Sequence, residues 1–558
     1  MLPDGADTPE RRQAPQDVTT GRTLRLAAVA LFAAGSLPFI RWIPDDAFIS
    51  FRYARNLAGG LGLVFNPGEM VKGISNPLWT LLLAGTTRIG LDTVATAVTL
   101  SLACALAGVW LTFQLFDAIL TAGGADRRHF TGLKSILGFG AIASLPTLFY
   151  ATSGLETHGE LLLLLLGSVW HLEAVSRSEP RRHFLSMLAF LAVALMRPEG
   201  VVFLLVAAAF AITNGRRDRR TRVWVAAAVA VPVVLYTLSL AVDYAYYRAL
   251  VPNTYLAKPG ASLAYPTPIW RGTQYLVRFF LISGLFVMLP FCAIAFAHRP
   301  ARHACVYLSS MVGAQLAFIV FVGGDVLRFN RFTVPVLPML LAVALVGFIR
   351  WDSVTRVRSP RLALLTAGLC VALMAGLNGG RVYLARSKYC LHDWMHATVH
   401  RRVGEALGRA LDPGASVVVN EVGAIAYESR LLCYDMIGLT DHTVAALIYE
   451  SFQRDGVSAS PSSAREIADY LFSREPTCVL IPAAGAIDPA RHEKAADRMH
   501  PIWEAVFNHP DLTEHFRFVL SVRIHEHKYW YIFVRNGAPF DSAPLRGLSG
   551  PRCLAVSH

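Results

Sequence analysis

Two adjacent carboxylates, Asp45 and Asp46, open the densest polar segment of the chain, Arg41-Trp-Ile-Pro-Asp-Asp-Ala-Phe-Ile-Ser-Phe-Arg-Tyr-Ala-Arg-Asn-Leu57. A desolvated carboxylate is suited to act as a general base towards a hydroxyl, because burial raises its pKa while a neighbouring Arg keeps it ionised. The competing role is structural: Asp is a favoured N-cap, and either residue can open a helix over 47–57. A second cluster, Ser153-Gly-Leu-Glu-Thr157, puts Glu156 at the edge of an apolar run. That placement is costly, so the group is usually functional or paired; it also suits a helix N-terminus. In Arg197-Pro-Glu-Gly200, Arg197 and Glu199 can pair with each other. Lys258, in Val251-Pro-Asn-Thr-Tyr-Leu-Ala-Lys258, and Arg328 and Arg331, after Gly323-Gly-Asp325, supply cations. Arg as a fork and Lys as a point charge suit the phosphate of a lipid-linked substrate. Snorkelling to head groups is the commoner fate of a lone cation near lipid. His392, His396 and His400 repeat at i, i+4, i+8 and could ligate a metal, but no carboxylate stands obviously with them and a solvated helix face is the default. His525 and His527, flanking Glu526, have no stronger claim.

The elements that must position these groups are set by composition. Of 558 residues 54% are apolar and 16% charged, with mean hydropathy +0.43, which places most of the chain in lipid and excludes disordered, collagenous and small disulfide-rich classes. Eleven apolar segments approach the roughly 20 residues a spanning helix needs. They run over about 23–40, 94–117, 133–151, 158–176, 183–196, 199–213, 222–242, 275–297, 304–322, 332–350 and 361–378. A twelfth, 77–90, is short. Basic clusters fall at Arg11/Arg12/Arg22/Arg25, Arg127/Arg128/Lys134, Arg177/Arg181/Arg182, Arg216 to Arg222, Arg299/Arg302 and Arg350 to Arg361. With 77–90 lying along the interface, all six share the cytoplasmic side, as the positive-inside rule asks. These clusters carry the chain's whole +13 excess, so the basic balance is topological and no nucleic-acid partner is implied. The N-terminus is then cytoplasmic, the first span is retained because no cleavage pattern follows it, and the polar clusters share the outer face.

Beyond about 378 the composition becomes that of a soluble α/β module outside the membrane. Ser416–Asn420 and Thr477–Ile481 read as strands, and 516–523 with 528–535 as a hairpin. The expected fold is a mainly α polytopic membrane protein of about 11 spans with a C-terminal extracytoplasmic α/β domain. Its expected parts are a tail 1–22, a transmembrane domain 23–378 with outer loops 41–93 and 243–274, and a soluble domain 379–558. Eight cysteines show no CxxC pair; Cys390, Cys433, Cys478 and Cys553 would lie in an oxidising compartment with unreadable pairing. No GxxxxGK[ST] loop is present, which disfavours a nucleotide-driven pump.

The run Trp42 to Leu57, Phe65-Asn-Pro-Gly-Glu69, Ser75-Asn-Pro-Leu-Trp79, Ser153-Gly-Leu-Glu-Thr157, Arg197-Pro-Glu-Gly200, Pro252 to Lys258 and Gly323-Gly-Asp325 together resemble the GT-C polyprenyl-phosphate-dependent glycosyltransferases, most of all the terminal arabinofuranosyltransferase (AftB) branch. The resemblance covers about 1–378 in order. It implies transfer of a sugar, arabinofuranose as the best match, from a polyprenyl-phosphate donor to a hydroxyl of an envelope polysaccharide or glycolipid, at the outer face of a bacterial plasma membrane. By that likeness Asp45 and Asp46 would supply the base and Glu156 would support the acceptor or orient the site. Lys258, Arg328 and Arg331 would hold the lipid phosphate. Arg52, Asn76, Arg197, Glu199, Asn253 and Asp325 would support them. The energy resides in the donor bond, so no nucleotide is needed; no cofactor is required by the pattern, and a divalent metal is compatible with it.

Two other classes use the same features. A flippase for a lipid-linked glycan would line a midplane pathway with polar groups, whereas here they gather at one face. A non-catalytic envelope-assembly protein on the same scaffold would keep the fold without the chemistry.

Overall fold

The structure is a computed structural model that describes residues 10–126, 128–177, 179–214, 219–258, 266–354, 359–385, 391–484, 499–525, 528–546 and 548. Its packing divides the chain into two compact units, one formed by 1–40, 98–238 and 262–385, the other by 41–97, 239–261 and 386–558.

The first unit is helical. A helix or helix pair stands at each of the eleven expected segments. Six helices are long and apolar enough to cross a membrane: Thr93–Ala122, Thr157–Arg177, Arg222–Tyr247, Arg299–Val322, Arg331–Trp351 and Arg361–Leu384. A seventh arises if Pro268–Ser283 and Leu285–Ala295, bent by 83°, count as one span. The break sits at Gly284, whose φ of 72° is open to glycine without a Cβ clash. The segment expected over 133–151 is likewise two helices, Thr131–Ile142 and Leu145–Tyr150, because Pro146 cannot donate a helical hydrogen bond. Burial separates centre from periphery. The helix Arg331–Trp351 is 89% buried, against 17% for Arg222–Tyr247 and 22% for Arg361–Leu384, so the first is the core of the bundle and the other two expose apolar surface suited to lipid. At Gly347 a Cβ would meet the Phe291 carbonyl oxygen at 1.8 Å, and beside it Phe291 stacks on Phe348 at 3.8 Å. Only glycine permits that approach.

The second unit holds a five-stranded sheet in the order β2-β1-β3-β5-β4. Its strands are β1 (Ser416–Val419), β2 (Leu432–Asp435), β3 (Cys478–Ala484), β4 (Phe516–His525) and β5 (Lys528–Arg535). β1 pairs in parallel with β2 and β3; β5 pairs antiparallel with β3 and β4. Both faces are covered, and the two-residue period of the strands sorts side chains between them. Val417, Val419, Cys433, Leu480 and Ile532 enter one core with the helix Leu391–Ala410. Val418, Tyr434, Val479, Ile481 and Phe533 enter the other with the helices His442–Asp455 and Pro461–Ser473. Among the described residues Cys433 and Cys478 are free thiols; Cys390 and Cys553 lie outside the described residues.

The expected domain boundaries need correction here. Outer loops 41–93 and 243–274 were assigned to the transmembrane domain, yet 41–97 and 239–261 pack with the C-terminal segment. Ile49, Tyr53, Phe65 and Ile74 from the first loop lie inside the same core as β1 and β3, and Lys72 donates to Asp243 (2.7 Å) and to the Leu250 carbonyl (2.7 Å). The helix Pro77–Arg88 has 12 residues, a rise of about 18 Å, too short for a hydrocarbon layer of about 30 Å.

Candidate active site

In the second unit the helix Asp45–Ala58 begins after Pro44, and neither aspartate caps it with its side chain. Asp45 is committed elsewhere. Its Oδ2 accepts the Gly423 N–H at 2.7 Å and its Oδ1 the Ala424 N–H at 2.8 Å, so the carboxylate caps the turn that starts the short helix Ala424–Ser429. The approach requires glycine: a Cβ at Gly423 would lie 1.9 Å from the Asp45 carbonyl oxygen. Gly423→Ala is therefore expected to lower the stability of this unit by about 1–3 kcal/mol, read as a fall in melting temperature of the purified protein. Asp46 is half-buried and makes no hydrogen bond or ion pair among the described residues.

The neighbouring arginines do not hold either aspartate, contrary to the expectation of an Arg that keeps the base ionised. Arg52 is 2% exposed and donates to the carbonyls of Phe65 (2.7 Å), Leu431 (2.7 Å) and Ala426 and to Asn66 Oδ1 (3.0 Å). Burial pushes its guanidinium down to about 10, still charged at neutral pH. Arg55 donates to the Tyr427 carbonyl and lies over that ring. Arg52 is thus the rivet between the first loop and 426–431. Asn76 does a similar job locally, its Oδ1 accepting from Ser50 (3.1 Å) and Thr80 (3.0 Å). Buried Asn253 donates to the Gly438 carbonyl at 3.4 Å, and its own N–H donates to the Lys72 carbonyl at 2.8 Å. Lys258 is exposed at the end of the helix Asn253–Ala257.

In the first unit Arg197 gathers three carboxylates. Its guanidinium lies 2.6 Å from Glu156, 2.5 Å from Glu199 and 3.4 Å from Glu160, and all four residues are at most 7% exposed. Arg197 and Glu199 pair as their spacing allowed. Glu156, read as a support for the acceptor, is held in an ion-pair network. Glu160 was missed by sequence reading; its signal was its place one turn after Glu156. Phe332 lies between the guanidinium of Arg197 at 4.9 Å and that of Arg331 at 5.2 Å. Arg331 is bound to Asp325 by two contacts at 2.9 and 3.4 Å, whereas the Arg328 side chain is exposed and its carbonyl accepts from Tyr150. The loop is wound tightly, with Gly323, Gly324, Phe329 and Asn330 all at positive φ, conformations that non-glycine residues adopt at a cost of about 1–3 kcal/mol each. Lysine in place of Arg197 keeps the charge but not the fork. Arg197→Lys is expected to destabilise the helical unit by about 1–3 kcal/mol, measured by thermal unfolding in detergent.

Of the three histidines at i, i+4, i+8, His400 is buried and reaches Asp45, its Nδ1 3.6 Å from Oδ1. The side chains of His392 and His396, like those of His525 and His527, lie outside the described residues. The carboxylate absent from the linear pattern is supplied from afar: Asp45, His400 and Glu421 each bring one ligand atom within 4.8 Å of the others.

The fold is shared with solved structures of an oligosaccharyltransferase and of ArnT. The archaeal oligosaccharyltransferase AglB from Archaeoglobus fulgidus, in complex with an inhibitory peptide and a dolichol-phosphate, superposes with TM-score 0.50 at 11% identity over 82% of this chain and 69% of its own. ArnT from Cupriavidus metallidurans bound to undecaprenyl phosphate also gives 0.50 at 11% identity, over 96% of this chain and 99% of its own. In sequence, the chain is 35% identical over 254 residues to the terminal β-(1→2)-arabinofuranosyltransferase of Mycobacterium tuberculosis, a match covering 43% of this chain and 38% of that relative. It is 31% identical over 147 residues to the enzyme of the same name from Corynebacterium glutamicum, covering 25% of this chain and 19% of the relative. The matches therefore span well under half the length of these relatives. A family model described as a domain of unknown function (DUF8728) matches residues 391–533, the part that holds the sheet.

Proposed function

We propose that the chain is a membrane glycosyltransferase that moves a sugar, arabinofuranose as the best match, from a polyprenyl-phosphate donor to a hydroxyl of a cell-envelope glycan. The observation that carries the mechanism is the contrast between the two adjacent aspartates. Asp45 is held by two backbone N–H groups, while Asp46 stands half-buried with its oxygens uncommitted. Backbone donors take two of the lone-pair sites of Asp45 and none of those of Asp46, so we assign the proton to Asp46, and Asp45 holds the segment in place. The sequence similarity to the arabinofuranosyltransferases supports the sugar. In this reading the acceptor hydroxyl loses its proton to Asp46 as its oxygen attacks the anomeric carbon. The polyprenyl phosphate leaves as the donor's anomeric bond breaks, and Lys258, Arg328 and Arg331 are the cations that the sequence resemblance offers for its charge. The eleven-span topology with cytoplasmic N-terminus belongs to the same proposal, as does placement of the sheet-bearing segment outside the membrane.

The test is transfer of label from a panel of polyprenyl-phosphate sugars, including arabinofuranose, mannose and glucose, in membranes carrying the wild type or the Asp46→Asn variant. Transfer from one donor, lost in the variant, supports the reading and names the sugar. No transfer from any donor with folded protein and a suitable acceptor overturns it.

A further inference from the structure

We propose that Asp45, His400 and Glu421 form a binding site for one divalent transition-metal ion of the zinc class. The three residues come from segments far apart in sequence: the start of the helix Asp45–Ala58, the helix Leu391–Ala410 and the turn that follows β1. Folding brings one ligand atom of each within 4.8 Å of the other two.

The spacing fits ligands better than a hydrogen bond. His400 Nδ1 and Asp45 Oδ1 stand 3.6 Å apart, beyond the usual N–H···O range of about 2.7–3.2 Å. Two atoms each about 2.0–2.1 Å from a tetrahedral zinc ion are separated by about 3.3 Å. The donor set also fits. One imidazole with two carboxylates suits zinc or a neighbouring transition metal; calcium and magnesium favour all-oxygen cages. Three protein ligands leave a fourth position open, the form of a zinc site that accepts water or a substrate oxygen.

The surroundings hold the ligands in place. His400 is only 5% exposed, and its ring packs against the indole of Trp530 with centroids 4.6 Å apart. The Asp45 carboxylate is oriented by the Gly423 and Ala424 N–H groups, the outer-shell support that metal-binding carboxylates characteristically have. The cations nearby are engaged elsewhere: Arg52 on carbonyl oxygens, Arg55 on the Tyr427 carbonyl, and Arg401 on Glu428 at 2.6 Å.

Position in the sheet agrees independently. β1 lies between β2 and β3, parallel to both, so the chain leaves β1 towards one neighbour and later returns to the other side. The carboxyl end of such a strand, where the connections diverge, is where open α/β sheets bind ligands. Glu421 stands at that end, and Asp45 docks on the turn beside it. The site stands whether or not Asp46 is the catalytic base.

The test uses the full-length protein in detergent, stripped with chelator, dialysed and titrated with zinc chloride, with bound metal counted by mass spectrometry and thermal unfolding followed in parallel. The expected result is one zinc ion per chain and a raised melting temperature. Affinity should fall by more than about tenfold in His400→Ala and in Glu421→Gln, the latter keeping the side-chain volume. Cobalt in place of zinc should give the visible absorption of a low-coordinate site in the wild type. Failure of the wild type to retain zinc or cobalt would overturn the proposal. Equal binding by wild type and a folded Glu421→Gln variant would overturn it as well.

Discussion

Asp46→Asn is expected to lower sugar transfer by about 10²–10⁴-fold while leaving abundance and melting temperature unchanged. Asparagine keeps the volume but cannot take a proton, and no hydrogen bond or ion pair among the described residues depends on the Asp46 carboxylate. Asp45→Asn is the contrasting case. It replaces a charged acceptor of two backbone N–H bonds at 2.7 and 2.8 Å by a neutral one, and turning its amide towards those donors costs more. A loss of about 1–3 kcal/mol is expected, with activity falling because the segment that carries Asp46 is no longer fixed. Labelled-donor transfer measured beside thermal unfolding separates the two. Full activity in Asp46→Asn would remove it as the base. Lost activity in Asp45→Asn at unchanged stability would hand the role to Asp45.

Arg52→Met is expected to destabilise the sheet-bearing unit. The guanidinium satisfies three backbone carbonyls and the Asn66 amide oxygen inside the core, across 426–431 and 65–66. Methionine fills part of the volume but takes the guanidinium donor from the Leu431 carbonyl, while the Phe65 and Ala426 carbonyls and Asn66 Oδ1 keep one other donor each, from Asn56, Arg430 and Cys433. A buried acceptor left unsatisfied costs about 1–3 kcal/mol, so the Leu431 carbonyl alone puts the loss in that range, a sizeable share of the roughly 5–15 kcal/mol that holds a domain together. Arg52→Lys should recover only part, since one ammonium cannot span acceptors arranged for a planar fork. Early cleavage of 41–97 in limited proteolysis and a depressed melting temperature would be the signs. An unchanged melting temperature in Arg52→Met would mean that water reaches the carbonyls, and the rivet would be dispensable.

The role of Arg52 also shows where sequence reading stopped. An arginine seven residues after a candidate base invites the inference that it holds the base ionised. Its length and five donors, however, serve equally to satisfy carbonyls 374 and 379 residues away, and no local pattern separates the uses. The helices were legible because lipid demands long apolar runs whose backbone is satisfied internally; the break at Gly284 was not, since it interrupts a run that stays apolar throughout. β1, β3, β4 and β5 announced themselves as β-branched and aromatic runs. β2, Leu432–Asp435, did not, because four residues that take their pairing from β1 carry too little periodicity of their own.

The apolar runs and the one-sided basic clusters determined by themselves that this is a membrane protein, since burying or exposing such surface in water is costly whatever the fold. Asp45, Asp46, Glu156 and Arg197 were legible as polar groups beside those runs. Which aspartate is free, which carboxylates share Arg197, and the meeting of Asp45 with His400 and Glu421 were decided only by tertiary structure. The physical reason is distance along the chain. Asp45 finds its hydrogen-bond donors 378 and 379 residues away, and a carboxylate's chemistry is set by the donors, charges and water around it rather than by its neighbours in sequence.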